Sequence, residues 1–486
     1  MQNYILTKRQ KGVKIQIVNA YKMTLCSDEL ISRRNMMELL NRKKTGKVER
    51  PVKVLQFGEG NFLRAFVDYM IDIANEQGKF NGDIVLVKPI EFGSLDRFHD
   101  QECQYTVQLR GIVDGEPKRI NRIVTSVADA VDAYGEYQKY ADYAKLDSLR
   151  YIVSNTTEAG IVYDDTDRLE MEPPKSYPGK LTKFLYERYK HFNGAMDKGL
   201  VMLPVELIDD NGIHLKECVE KLAVLWNLED GFKTWLDEAC VFTSTLVDRI
   251  VTGYPRDEAE ELCKEFGYQD NLIVTGEPFA LWVIESAKDI SKEFPLPDAG
   301  LPVIFTDNQK PYKQRKVRIL NGAHTSFVLA SYLCGNDIVL ESMQDELIFN
   351  FMKATIFDEV IPTLTLPKQD LIDFAEAVIT RFNNPYVKHA LLSISLNSVS
   401  KWRARCMPSF LEYIKNEGKL PTHLTFSLAA LMAFYTGTEI RDKALIGHRD
   451  GTEYQILDDA AVLEFFAANS SKDAAEYTHA VLSNEH

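Results

Sequence analysis

Three residues in the second half of the chain, Lys316, Asn321 and His324, are of the types that move a proton to and from a secondary alcohol. Reducing a carbonyl needs a hydride donor, a proton donor for the developing alkoxide, and hydrogen-bond donors that hold the oxygen. The run Lys316-Val317-Arg318-Ile319-Leu320-Asn321-Gly322-Ala323-His324 brings an ammonium, an amide and an imidazole together. At roughly 100° per residue, an α-helix sets Asn321 about 140° and His324 about 80° from Lys316, within one half of the helix. A lysine in this role must release its proton readily, which needs a pKa below its ordinary ~10.4. Arg315 and Arg318 flank it and would push it down. On spacing alone the commoner reading is three polar residues on an exposed helix face.

A hydride donor needs a berth, and the segment Phe57-Gly58-Glu59-Gly60-Asn61-Phe62-Leu63-Arg64 has the form of one. It follows an apolar strand, Val52 to Phe57, and opens a helix marked by Phe62, Phe66, Met70 and Ile71. Gly58 permits a tight turn, Gly60 lets backbone approach a pyrophosphate, and the helix start offers free N–H groups to that anion. Leu63 stands where the full fingerprint has a third glycine. A second buried-type strand, Ile84 to Val87, ends at Lys88-Pro89, with Glu91 the nearest acid. The acid that usually holds the adenosine ribose is missing there. Lys88 favours a 2′-phosphate or is a solvated strand-end lysine, so NAD and NADP both stay open.

The elements that must carry these residues alternate between strand and helix up to about residue 255 and are mostly helical beyond it. That order predicts an α/β fold, a Rossmann-type doubly wound sheet domain followed by a mostly α-helical C-terminal domain. The divisions are an N-terminal arm over 1–50, polar, basic and loosely attached, a dinucleotide-binding domain over 51–255, and a helical substrate domain over 256–486. A net charge of −14 argues against binding nucleic acid or an acidic membrane surface. No apolar run approaches the ~20 residues of a membrane span. The seven cysteines are scattered without a Cys-x-x-Cys pair, which predicts no metal site and reduced thiols, as in the cytoplasm. No signal-peptide pattern opens the chain.

Four motifs then lie in order along the chain. They are Gly58-x-Gly60-x-Phe62-x-Arg64, Thr157-Glu158-Ala159-Gly160, Leu246-Val247-Asp248-Arg249-Ile250-Val251, and Lys316-x4-Asn321-x2-His324. Between about residue 52 and about residue 435 the sequence resembles the long-chain mannitol dehydrogenase family. The resemblance implies a metal-independent oxidoreductase whose small substrate lies between the two domains. It implies NAD held by Phe57, Gly58, Gly60, Asn61, Phe62, Asn155, Thr157 and Glu158, with Asp248 near the nicotinamide and the lysine. Lys316 would transfer the proton, Asn321 would hold the carbonyl oxygen, and His324 would orient a neighbouring hydroxyl.

Two departures from the family pattern bear on the substrate. Glu206-Leu207 replaces an Asp-Asn pair, and Ser393 stands where an arginine is expected eight residues before the lysine matching Lys401. A rebuilt substrate end fits a sugar acid better than a neutral polyol, with Glu206, His389, Lys401 and Arg403 as substrate-binding candidates and Lys388 as a further cation. A fructuronate reductase and a mannitol or other polyol dehydrogenase are the alternative enzymes. A nucleotide-binding protein without catalysis would have no need of the intact Lys-Asn-His triplet. The short stretch after Tyr435 predicts a C-terminal helix that is short or missing.

Overall fold

The computed structural model describes residues 37–157 and 159–484. Six short apolar strands build the main sheet: β1 Val52–Phe57, β2 Asp83–Lys88, β3 Val127–Asp132, β4 Tyr151–Ser154, β5 Val201–Pro204 and β6 Val241–Phe242. They lie in the order β3-β2-β1-β4-β5-β6 and all pairings are parallel. This is the doubly wound order, which reverses direction between β1 and β4 and opens a crevice at the carboxyl ends of those strands. Register brings Phe57 beside Val87 and Ser154, and Lys88 beside Asp132, along that edge. β2 is buried at every position, as expected of strands covered on both faces. Leu63, Phe66 and Met70 pack on one face of the sheet, while Leu181, Phe184 and Val219 pack on the other.

The helix after β1 runs without a break through Asn61–Leu63, a π turn at Arg64–Asp68, and Tyr69–Glu76. Strands continue beyond residue 255. Leu281–Glu285 pairs with Ser244–Asp248 and Val303–Thr306, and Val274–Gly276 joins the hairpin Tyr105–Val113 and Glu116–Val124. Single strands of three to five residues carry too little periodicity to stand out in a sequence.

Residues 37–50 are not loosely attached. Leu40 is fully buried, its N–H donates to Gln269 O at 2.9 Å, and Lys47 Nζ sits 2.8 Å from Asp83 Oδ2 with neither side chain exposed. The basic run hides one ammonium that is paired inside the body, a pairing that composition cannot show. The rest of the expected arm, residues 1–36, lies outside the described residues. Lys47→Ala leaves Asp83 buried with only Arg50, 3.7 Å away, for a partner. A loss of about 3 kcal/mol is expected in the urea unfolding midpoint. A midpoint equal to that of the unaltered chain would show that the pair holds nothing.

The C-terminal half is built around Gly322–Leu333, a helix apolar on nearly every side and therefore central. Helices Glu346–Ala354, Lys368–Phe382, Ser398–Arg405 and Thr422–Phe434 surround it over a core that includes Phe327, Met352, Phe374 and Phe434. After Tyr435 come a three-stranded sheet and the helices Ala460–Asn469 and Ala474–Leu482, so helix continues where little was expected. Among the described residues no helix is long and apolar enough to cross a membrane.

Candidate active site

The carboxyl edge of the sheet and the central helices enclose a cavity of about 820 Å³. Phe62, in the first helical turn after β1, places the glycine turn beside the cavity. Gly58 has φ 117°, and a Cβ there would press on Asn155 O at 3.2 Å, so only glycine fits. Gly60 has open space where a Cβ would stand, and it starts the helix without a side-chain cap, which leaves the first N–H groups available. This cradle fits the pyrophosphate of a dinucleotide. Phe62 lines the cavity and stacks on Phe66 at 5.0 Å. Asn61 instead turns its Oδ1 to Arg64, accepting a hydrogen bond of 2.7 Å. The Phe57 side chain is fully buried between Tyr140 and Tyr177, so its part in any cofactor contact is confined to backbone.

Asn155 and Thr157 line the cavity from the end of β4, Thr157 with φ 73°, while Glu158 lies outside the described residues. Glu206 does not line it and is 2% exposed. Its carboxylate accepts from Ser154 Oγ at 3.1 Å and from Thr156 N and Oγ1 at 2.9 Å each. The expected substrate contact is instead a clamp on the turn that presents Asn155 and Thr157. A buried acid facing three donors on the neighbouring strand end is committed before any ligand arrives.

Lys316 begins a second π turn, Lys316–Asn321, set between the α segments Lys310–Arg315 and Gly322–Leu333. The angles expected of a straight α-helix therefore do not apply. Lys316 and Asn321 are five residues apart, and the i→i+5 turn draws them onto one side, facing the cavity with His324. Lys316 Nζ donates to Val247 O at 2.8 Å and lies 4.0 Å from Asp248 Oδ1. Burial holds its pKa below the usual lysine value, against the pull of Asp248 and with help from Arg381. The flanking arginines are occupied elsewhere. Arg315 lies over the Phe374 ring at 4.5 Å and Arg318 donates to Thr363 O at 3.3 Å.

The His324 ring stacks on Phe382 at 4.1 Å and meets His389 edge-on at 5.4 Å. Its Nε2 is buried without a protein partner. Burial, then His389 and the cations Arg381, Arg405 and Lys401, push its pKa well below the ordinary histidine value, so the ring is neutral near pH 7. His389 also lines the cavity.

Arg381 is a site residue that the sequence reading missed. Its guanidinium bridges Asp248, with two contacts of 3.1 Å, and Glu277, at 2.8 and 2.9 Å, while lying over Phe279 at 4.2 Å. It sits in the last turn of Lys368–Phe382, a helix legible in the sequence, but its partners lie 133 and 104 residues away.

Lys401 and Arg403 part company. Lys401 Nζ donates to Ile394 O at 2.9 Å behind the cavity wall, and Arg403 lines a separate apolar pocket with Trp402 and Phe465. On the helix Ser398–Arg405 the residue sharing the Lys401 face is Arg405, four positions on, which donates to Thr325 Oγ1 at 3.3 Å. Lys388 is exposed. Among the described residues no three His, Cys, Asp or Glu side chains gather as a metal site would.

Comparison with known proteins agrees with this architecture. The mannitol dehydrogenase Rossmann domain pattern matches residues 52–297, and the mannitol dehydrogenase C-terminal domain pattern matches residues 308–481. The chain belongs to the mannitol dehydrogenase family. Within it, the altronate oxidoreductase of Yersinia enterocolitica is 45% identical over 432 residues, 89% of this chain and 87% of that one. The altronate oxidoreductase of Bacteroides thetaiotaomicron is 43% identical over 440 residues, 90% of this chain and 91% of that one. Pseudomonas fluorescens mannitol 2-dehydrogenase, solved as a ternary complex with NAD and D-mannitol, shares the fold at a TM-score of 0.62 and 23% identity, with 92% of each chain covered. Family membership accounts for the two-part fold that strand–helix alternation predicted, a parallel sheet domain followed by helices.

Proposed function

We propose that the chain is a cytoplasmic, NAD-dependent altronate oxidoreductase, which reduces D-tagaturonate to D-altronate and runs the reverse reaction. The observation that carries the reading is the Lys316 ammonium, half-buried and fixed by Val247 O, sharing one cavity with Asn321 and His324 and with Phe62 at the glycine turn. NADH, when bound, supplies the hydride to the keto carbon. Lys316 Nζ gives its proton to the developing alkoxide, and in oxidation it takes the hydroxyl proton back. Burial eases both steps by lowering the cost of the neutral amine. The Asn321 amide donates to the same oxygen. The neutral His324 leaves Nε2 to a neighbouring substrate hydroxyl, which meets the need of an otherwise orphaned atom.

The acid end of the substrate is assigned to the positive field behind His324. Lys401 and Arg405 share one helix face there, and both charges act on the imidazole. Arg381 lies near too, but two carboxylates already neutralise it. A sugar acid gains from that field and a neutral polyol does not.

Consumption of NADH with tagaturonate, and none with fructuronate or fructose, is the expected outcome of a substrate panel. Turnover of fructose alone would replace the sugar acid with a neutral sugar. Turnover of fructuronate alone would keep the class and change the substrate.

A further inference from the structure

Lys88 is neither a solvated strand-end lysine nor a spare cation. Its side chain is 2% exposed. The ammonium has three N–H bonds to give, and four oxygens crowd it: Ile90 O at 3.0 Å, Glu91 O at 3.2 Å, Phe92 O at 3.3 Å and Asp132 Oδ2 at 3.0 Å. Lys88 and Asp132 are register partners at the ends of β2 and β3. The lysine therefore folds the segment after β2 back over the sheet edge and keeps no donor for a ligand. Asp132 is partly exposed and accepts from Tyr134 N at 2.9 Å through its other oxygen. Glu59, half-buried between Gly58 and Gly60, stands close enough for the charges of Lys88 and Asp132 to act on its carboxyl. Arg64, the other cation near it, is buried and donates to Leu272 O and Asn61 Oδ1.

In a doubly wound fold the adenosine ribose lies over these strand ends, and an acid at the end of β2 commonly takes its hydroxyls. Here that position holds a lysine whose charge is spent, and the carboxylates come from β3 and from the turn itself. We propose that Glu59 and Asp132, with Lys88 locked between the strand ends, select NADH over NADPH at the adenosine end of the cofactor site. The inference rests on the cofactor reading above. A ribose diol can donate to either carboxylate. A 2′-phosphate brings a charge of about −1.5 to −2 and meets the Glu59 carboxylate, an Asp132 already paired with Lys88, and, among the described residues at these strand ends, no unspent lysine donor.

The test is equilibrium binding, read from nucleotide fluorescence, with NADH and NADPH titrated into the unaltered chain, E59Q, D132N and the double variant. The unaltered chain is expected to prefer NADH by at least about a hundredfold, and the double variant to lose about tenfold or more of that ratio. E59Q, which keeps the shape of a half-buried side chain and removes only its charge, gives a partial loss and serves even where D132N loosens the strand ends. A ratio that stays within about twofold in every variant, or an unaltered chain that prefers NADPH, overturns the inference and leaves the NAD reading standing or amended. If the unaltered chain binds neither nucleotide, the cofactor reading itself falls and takes this one with it.

Discussion

Lys316→Met is expected to lower kcat by about a hundredfold to ten-thousandfold, the range of a positioned general acid, while NADH affinity changes little. The substitution keeps the length of the side chain and removes only the ammonium. It takes the donor from Val247 O but strands no carboxylate, because Asp248 keeps both of its contacts with Arg381. The fold should therefore hold, and the loss reads as chemistry. The pH profile carries independent information. Lys316 lies below the ordinary lysine range because burial penalises its charged form, so altronate oxidation should rise with pH and level off at a pH below ~10.4. Tagaturonate reduction, which needs the protonated amine, should fall across the same window. Both limbs should vanish in the variant. Stopped-flow traces of NADH consumption across pH would show this, and a variant that keeps the wild-type profile would take the lysine out of the mechanism.

The sheet was legible because its strands are buried on both faces and read as continuous apolar runs, such as Val52 to Phe57 and Ile84 to Val87. β6, only two residues long, carries no such run. The Lys-Asn-His triplet was legible as a set of types, but its geometry was not. A π turn leaves no mark on hydrophobic spacing, so the α-helical angles put Lys316 and Asn321 within one half of the helix but about 140° apart, where the i→i+5 turn sets both on the cavity side. Glu206 and Lys401 stand out by their places in the family pattern and Arg403 by its charge, and neither says which way a side chain turns. Glu206 is spent on the Ser154–Thr156 turn, and Arg403 lies across the helix from Lys401. Arg405 shared that helix face by simple four-residue spacing and could have been found. Arg381 could not, since its meaning depends on contacts made by distant strands.

Arg381→Met is expected to destabilise the fold by about 3–5 kcal/mol at neutral pH, the cost of removing one partner from a buried ionic network. Asp248 and Glu277 are 7% and 3% exposed, and the same guanidinium satisfies both. Without it, two largely buried carboxylates are left side by side in the cavity wall. Burial already pushes the Glu277 carboxyl up, and Arg381 is the largest influence holding it down. In the variant that pKa must rise further above its unfolded value of about 4.3. A group raised in this way favours the fold below its unfolded pKa and loses that contribution as pH climbs through its folded pKa. The defect should therefore be largest at pH 7–8 and shrink toward pH 5, which denaturant midpoints at the two pH values would show. Arg381→Lys should recover only part, because one ammonium cannot bridge two carboxylates as a planar fork does. Adding E277Q to Arg381→Met should restore stability at neutral pH by removing one of the stranded charges. Catalysis responds separately. With Arg381 gone, Asp248 acts on Lys316 unopposed and raises the lysine's pKa, so altronate oxidation in the double variant should need a more alkaline medium. An Arg381→Met protein as stable at pH 8 as the parent would mean that water satisfies both carboxylates, and an unshifted pH profile of altronate oxidation in the double variant would mean that the network leaves the Lys316 proton untouched.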